Sequence, residues 1–190
     1  LKMGYAVKFL GDNFLHEEPY STTLQQMGIE ILYGAEYQSG IWDWIMKNKD
    51  EIDFAYLNRP HIATKYVDFL KKNTNIKIIY YGHDLHFLRE YREYELTGDI
   101  QKKRESDYWK SIEFSLMEKA AVSYYPSYVE EEAIHAVKPE IPVKAITAYV
   151  YESFLENIDR DFEKREGLLF VGGFAHPPNA DAVLWFAREV

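Results

Sequence analysis

The stretch KIIYYGHDLH, residues 77–86, carries the strongest signal for both fold and function in this chain. Five strand-forming residues end at Gly82, and His83, Asp84 and His86 follow within four positions. In an open α/β sheet, the carboxyl ends of the strands form the edge at which ligands bind. The three polar side chains can also take part in acid–base chemistry. The sequence therefore predicts a buried strand whose end carries a candidate functional site.

Strand-like and helix-like segments alternate along almost the whole chain. Short, continuous apolar runs are separated by segments in which apolar residues recur every three or four positions. Continuous apolar strands are expected where helices cover both faces of a parallel sheet. The pattern predicts an α/β protein with a doubly wound, Rossmann-like parallel sheet and helices on both faces. Residues 1–150 are predicted to form this domain, residues 151–166 a charged linker, and residues 167–190 the first strand and helix of a second domain.

Composition narrows the classes of protein to which the chain can belong. The 190 residues are 47% hydrophobic and carry a net charge of −9. This charge argues against a nucleic-acid-binding surface, because phosphate contacts need clustered Lys and Arg. The chain has no cysteine, which excludes a disulfide framework and thiolate metal sites and favours a cytoplasmic location. No apolar run has the length of a membrane span, so only a peripheral membrane contact is considered.

Residues 83–86 have four interpretations that the sequence leaves open. Asp84 can cap the helix that follows, with both histidines solvated or hydrogen-bonded. Alternatively, His83, Asp84 and His86 can ligate a metal ion such as zinc, although no further ligand cluster stands out to complete the shell. One of these side chains can act as a general base or nucleophile. They can also bind the hydroxyl groups of a polar substrate.

The strand-then-glycine layout occurs again at LLFVGGF, residues 168–174. Gly172 and Gly173 allow backbone N–H groups to approach a ligand closely, and the next helix start favours negative charge. The two glycines fit a tight strand-to-helix turn equally well, since the dinucleotide-binding and P-loop patterns are both absent. Arg59 follows another predicted strand, residues 54–57, and is expected either in the same crevice as His83 or as a surface arginine.

Three segments in order resemble a known family. YYGHDLHFLREYRE (residues 80–93) and SLMEKAAVSYYPSYVEEEAI (residues 115–134) resemble the N-terminal half of GT-B glycosyltransferases of the large retaining family 4. GLLFVGGFAHPPNADAVLWF (residues 167–186) resembles the opening strand, glycine-rich loop and helix of the second domain in that family. The resemblance covers the chain from residue 1 to residue 190.

The resemblance implies two Rossmann-like domains that face a cleft, with the acceptor on the first and a nucleotide-sugar donor on the second. It places His83 and Asp84 near the reacting sugar as catalytic residues. Its implied donor-binding residues are Gly172, Gly173 and Phe174, which approach the donor phosphates. His86 and Arg59 are candidate substrate-binding residues of the same crevice. A bound metal ion or other resident cofactor is not expected, and the acceptor is a saccharide or another hydroxyl compound.

The resemblance also predicts that the chain is a fragment, inactive by itself, that lacks the family's first strand and most of its second domain. The absent strand is expected in the middle of the sheet. One hypothesis is that residues 168–190 fill this place, within the chain or by exchange in a homodimer. Two other functions stay open: a non-catalytic sugar- or nucleotide-binding module, and a metal-dependent hydrolase built on His83, Asp84 and His86.

Overall fold

The structure of this chain, a computed structural model, describes residues 1–147, 151, 153, 154, 156, 158 and 161–190. The chain divides into two compact units, residues 1–150 and residues 151–190. Parts of the linker predicted over residues 151–166 lie outside the described residues. The apolar run at residues 143–149 predicts a strand, and its residues 148 and 149 also lie outside them.

The described part of the first unit contains six strands and six helices. The strands are β1 (Lys8–Leu10), β2 (Glu30–Leu32), β3 (Phe54–Asn58), β4 (Lys77–Tyr81), β5 (Val122–Tyr125) and β6 (Val143–Ala145). The helices are α1 (Tyr20–Gln26), α2 (Ala35–Asn48), α3 (Pro60–Asn73), α4 (His86–Thr97), α5 (Ile100–Lys119) and α6 (Tyr128–His135). Strands β3, β4, β5 and β6 pair in that order and all run parallel. The predicted α/β class with a Rossmann-like parallel sheet flanked by helices is confirmed.

The hydrophobic core follows the helical spacing of the sequence. In α3, Ala63, Tyr66, Val67 and Leu70 recur at intervals of three, one and three residues, and all four are buried. This spacing places them on one side of the helix, so that α3 packs with its apolar face toward the sheet. In α5 the buried Met117 is completely inaccessible to solvent. Helices α3 and α5 therefore cover the hydrophobic core. Strand β4 lies in this core, and the candidate site follows its carboxyl end.

The sheet of the first unit is interrupted between β1 and β3. Among the described residues, β1 pairs only with β2, and β3 pairs only with β4. The ring of Tyr5, which precedes β1, contacts the ring of Phe54 in β3, with the centroids 6.2 Å apart. Strand β3 therefore keeps one edge without a strand partner, in the region where the family resemblance expects a further strand.

Hydrogen exchange along β3 should alternate from residue to residue. Lys77 N–H donates to the Asp53 carbonyl and Arg59 N–H to the Tyr81 carbonyl, both at 3.0 Å, so odd-numbered residues of β3 bond to β4. The amides of even-numbered residues then point to the open edge. We expect slow exchange at Ala55 and Leu57 and fast exchange at Tyr56, measured by NMR. Equal protection at all three amides would show that the edge is covered.

The second unit contains one α-helix in its described part, α7 (Pro177–Glu189), preceded by a short 3₁₀ helix at Phe162–Lys164. The prediction of a strand at the start of this unit is wrong, since residues 168–171 form none. Leu168 and Leu169 are 84% and 90% exposed, and an isolated extended segment has no neighbour to complete its hydrogen bonds. The hypothesis that residues 168–190 complete the sheet within the chain therefore has no strand in this unit to support it. Exchange between two chains stays a hypothesis. In the described parts of both units, no helix combines the length and apolar character that a membrane crossing requires.

Candidate functional site

Two neighbouring strands end in strained residues at the same edge of the sheet. Arg59 follows β3 directly, and His83 follows β4 after one glycine. Both have a φ angle of 65°, in the left-handed region that side chains with a Cβ rarely adopt. Each such residue costs about 1–3 kcal/mol and persists only where the surroundings hold it, most often at functional sites. The structure thus brings Arg59 and His83 together at the carboxyl edge, where ligands bind in this class of fold.

His83 is held by a residue from the adjacent strand. Its Nε2 lies 2.6 Å from Oδ1 of Asn58, and its ring contacts Tyr81 edge-on at 4.6 Å between centroids. An amide oxygen accepts hydrogen bonds, so Nε2 carries the proton and Nδ1 is left as an acceptor. Burial lowers the pKa of His83, and the positive charge of Arg59 lowers it further. His83 is therefore a neutral imidazole with a defined tautomer near pH 7.

Asp84 does not cap α4, so that interpretation of the sequence is wrong. The residue preceding the helix is Leu85, which offers no capping side chain. The Asp84 carboxylate instead accepts a hydrogen bond from Nη1 of Arg89 at 2.6 Å, and its other oxygen lies 3.9 Å from Nδ1 of His86. A cap is unnecessary because a carboxylate from another helix already satisfies the first amides of α4.

That carboxylate belongs to Glu113 of α5, which is completely buried. Its Oε1 accepts from the backbone N–H of His86 at 2.9 Å, and its Oε2 accepts from the backbone N–H of Phe87 at 3.1 Å. Oε1 also lies 3.1 Å from Nδ1 of His86, whose ring packs on Trp109 at 4.7 Å between centroids. Glu113 therefore fixes both the start of α4 and the orientation of the His86 ring, because Nδ1 donates to the carboxylate and Nε2 is turned away from it.

The two histidines of the site have pKa values shifted in opposite directions. The hydrogen bond with Glu113 raises the pKa of His86, and the charges of Asp84 and Glu113 add to this against the effect of burial. The pKa of His83 is lowered. Pairs of titratable groups whose environments push their pKa values apart are suited to opposite roles in proton transfer. We expect an NMR titration to show His86 titrating above pH 6.5 and His83 below it; the reverse order would contradict the geometry.

Sequence reasoning missed Asn58, Arg89 and Glu113. Glu113 carried a visible signal, because it falls between Trp109, Ile112, Leu116 and Met117 on the apolar face of α5. A carboxylate at such a position is rarely buried unless it has partners. Asn58 and Arg89 carried no comparable signal, since each is an exposed polar residue of a kind common at strand ends and on helix surfaces.

The predicted donor loop lies in the second unit. A Cβ added to Gly172 would come within 2.8 Å of Nδ2 of Asn179, and that nitrogen donates to the Gly173 carbonyl at 3.0 Å. The ring of Phe174 stacks on Phe170, with the centroids 5.9 Å apart. A side chain at Gly172 would therefore displace the Asn179 amide that bonds this loop to the start of α7. Gly173 has no atom near its missing Cβ and leaves its backbone accessible.

The described part of the chain contains no set of side chains that could hold a metal ion. No group of three or more His, Asp or Glu side chains among those residues is arranged to hold a metal ion. His83 turns toward Asn58, whereas His86 turns toward Glu113, so the two histidines do not converge with Asp84 on one point. The comparisons with known proteins add no identification, because no family model, curated protein or solved structure matches this chain.

Proposed function

We propose that this chain is the acceptor-side part of a glycosyltransferase that transfers a sugar from a nucleotide-sugar donor to a hydroxyl acceptor. The observation that carries the proposal is the His86–Glu113 pair beside Asp84, at the carboxyl end of β4. The site combines the oriented imidazole of His86 with the carboxylate of Asp84 and the imidazole of His83. The pKa of His86 is raised, whereas the pKa of His83 is lowered. These groups suit the binding of sugar hydroxyls and the movement of one proton. The family resemblance of residues 80–93 supports the same reaction class.

Each group has a distinct task in such a transfer. The bond between the sugar and the donor phosphate breaks, and its electron pair stays on the departing diphosphate. A bond forms between the sugar carbon and the acceptor oxygen, which gives its proton to Nδ1 of His83. His86, whose pKa is raised, supplies positive charge to the departing oxygens, as does Arg59. Neutral His83 accepts a hydrogen bond from the acceptor hydroxyl through Nδ1, and Asp84 positions a sugar hydroxyl.

The remaining features of the proposal concern the wider protein. Residues 167–190 begin the donor-binding domain, in which Gly172, Gly173 and Phe174 approach the donor phosphates. The nucleotide sugar is a substrate, and the mechanism uses no resident cofactor. The protein acts in the cytoplasm, in polysaccharide biosynthesis, with peripheral membrane contact and a homodimer through the open sheet edge as further hypotheses.

Transfer of labelled sugar tests the proposal. The full-length protein is incubated with a panel of labelled nucleotide sugars and with hydroxyl acceptors. We expect transfer from one donor and a loss of about 100-fold in rate for His86→Ala, since removing one group that stabilises transition-state charge costs about 10²–10³-fold. His135→Ala is the matched control, because His135 lies at the C-terminal end of α6 and bonds to the Ile141 carbonyl instead of to a residue of the site.

Three outcomes would contradict the proposal. A His86→Ala variant with the full transfer rate removes that residue from the mechanism. Binding of nucleotide sugars without transfer by the natural protein favours the non-catalytic module. Hydrolytic activity that requires stoichiometric zinc favours the metal-dependent hydrolase.

A further inference from the structure

A tight three-residue turn places His83 in the candidate site. The backbone N–H of Asp84 donates to the Gly82 carbonyl at 2.9 Å, and His83 between them has a φ angle of 65°. A hydrogen bond across three residues with a positive φ angle at the central one is typical of the γ-turn that is rare and strained. Strained residues persist only where their surroundings hold them. The contacts of residues 82–84 therefore decide where the His83 ring lies.

Gly82 does not hold this turn by itself. A glycine has no side chain to pack and restricts its own backbone angles least of all residues. Two contacts with β5 hold it instead. The Gly82 N–H donates to the Tyr124 carbonyl at 3.1 Å, and the ring atoms Cε1 and Cζ of Tyr125 lie 2.2 Å from the position that a Cβ on Gly82 would take. The Tyr125 ring thus lies directly against the Gly82 backbone and occupies the space of the missing side chain.

The ring of Tyr125 is held in place by the core. Tyr125 lies in β5 and is completely buried. Its ring meets the ring of Tyr80 in β4 edge-on, with the centroids 6.3 Å apart. Side chains in a close-packed core have almost no free space into which to move. The ring of Tyr125 therefore gives Gly82 a fixed surface on the core side of the turn.

We propose that Tyr125 is a positioning residue of the candidate site, which holds Gly82 and thereby fixes the turn that presents His83. The fixed turn keeps Nε2 of His83 at 2.6 Å from Oδ1 of Asn58 and leaves Nδ1 as the acceptor for a ligand. Tyr125 acts through His83 and touches no ligand itself. The inference rests on the proposed function for its effect on sugar transfer, whereas the effect on His83 follows from the contacts alone.

An NMR titration of the two site histidines in Tyr125→Leu tests the inference. Leucine removes the ring from Gly82 but keeps an apolar side chain in the core. The turn should then loosen and expose His83, so that its pKa rises toward the ordinary value of 6.5 and its ring nitrogens show both neutral tautomers. The pKa of His86 should not change, because the hydrogen bond with Glu113 of α5 raises it. An unchanged His83, or equal shifts in both histidines, would overturn the inference.

Two further variants serve as controls. Tyr125→Phe keeps the ring atoms that contact Gly82, so His83 should titrate as in the wild type; a shift would overturn the role of the ring. Leu70→Ala removes a buried side chain of α3 that lies about 15 Å along the helix from its start at Pro60. This variant should lower stability through a core cavity without altering His83. A His83 pKa that rises equally in Leu70→Ala and Tyr125→Leu would overturn the inference.

A double variant keeps the test decisive if Tyr125→Leu does not fold. In Gly82→Ala/Tyr125→Leu, the added methyl group takes part of the space that the ring leaves. The φ angle of Gly82 is not positive, so alanine fits its backbone. His83 should then keep its lowered pKa and its single tautomer. A His83 pKa near the ordinary value in the folded double variant would overturn the inference.

Sugar transfer by the full-length protein separates this inference from the proposed function. At a temperature at which all variants are folded, Tyr125→Leu should lower kcat about tenfold and leave KM nearly unchanged, because a misplaced base slows the chemical step while the other groups still bind the substrates. Leu70→Ala should keep the wild-type kcat, and so should Tyr125→Phe. A full kcat in Tyr125→Leu would overturn the inference alone. If the protein transfers no sugar but the His83 pattern holds, the proposed function fails and the positioning of His83 by Tyr125 stands.

Discussion

Replacement of Gly82 by alanine should destabilise the first unit by about 3 kcal/mol or more, near the top of the range for overpacked cores. Gly82 is buried, and a Cβ built on it would overlap the ring carbons Cε1 and Cζ of Tyr125 and lie 2.5 Å from its hydroxyl oxygen. Tyr125 is itself completely buried and has no free space into which to move. In a chain of this size, the loss corresponds to a Tm lower by about 6–12 °C, measured by calorimetry.

Gly40→Ala is the matched control for this substitution. Gly40 lies inside α2, and nothing is within 4 Å of the position that its Cβ would take. Alanine should therefore raise the free energy of unfolding by about 0.5–1 kcal/mol, because glycine weakens a helix interior. In the double variant Gly82→Ala/Tyr125→Ala, the loss should be smaller than the sum of the two single losses, since the clash is absent. Strict additivity would show that Tyr125 is not the cause.

Some features of the fold follow from residues that are neighbours in the sequence, whereas others depend on contacts between distant residues. The apolar run KIIYY predicts a strand with the bounds that β4 has. The apolar spacing of residues 100–119 is typical of a helix, and α5 has these bounds. The three-residue spacing of Ser127 and Glu130 is that of a capping box, which is present at the start of α6. Each of these features depends on residues within a single strand, helix or helix start. Periodicity and capping are therefore sufficient to predict them.

The contacts that shape the site join residues far apart in sequence. The side chains of Asn58 and His83 are hydrogen-bonded although they lie 25 positions apart in the sequence. The same holds for Glu113 and His86, which lie 27 positions apart. Neither pairing follows from local spacing, because each requires the strand order and the packing of α5 on the sheet. The positive φ angle of His83 could not be predicted either, because such angles are uncommon in any residue with a Cβ, although histidine adopts them more often than most. The prediction of a strand at residues 167–171 is wrong for a different reason. These residues have the apolar character of a strand, but no strand in the described structure pairs with them.

Removal of the Glu113 carboxylate should have the largest combined effect on stability and on the site. In Glu113→Ala, the backbone N–H groups of His86 and Phe87 lose their acceptor, and a cavity is left in the core. An unsatisfied buried amide costs about 1–3 kcal/mol, so we expect a total loss of about 3–5 kcal/mol. Glu118→Gln is the matched control on the same helix, because its carboxylate forms only a surface pair with Lys138 and should cost under about 1 kcal/mol.

The more conservative Glu113→Gln separates the electrostatic role of this residue from its packing role. Glu113 raises the pKa of His86 in the folded chain, so the pair stabilises the fold fully below about pH 6.5, the ordinary value for histidine. That contribution is lost as the pH rises through the raised folded-state pKa, because His86 then releases its proton. Urea unfolding at pH 5.5 and pH 8 should therefore show a fall in stability with pH that is smaller in Glu113→Gln. The NMR pKa of His86 should also fall in this variant, and an unchanged pKa would mean that the raised value has another origin.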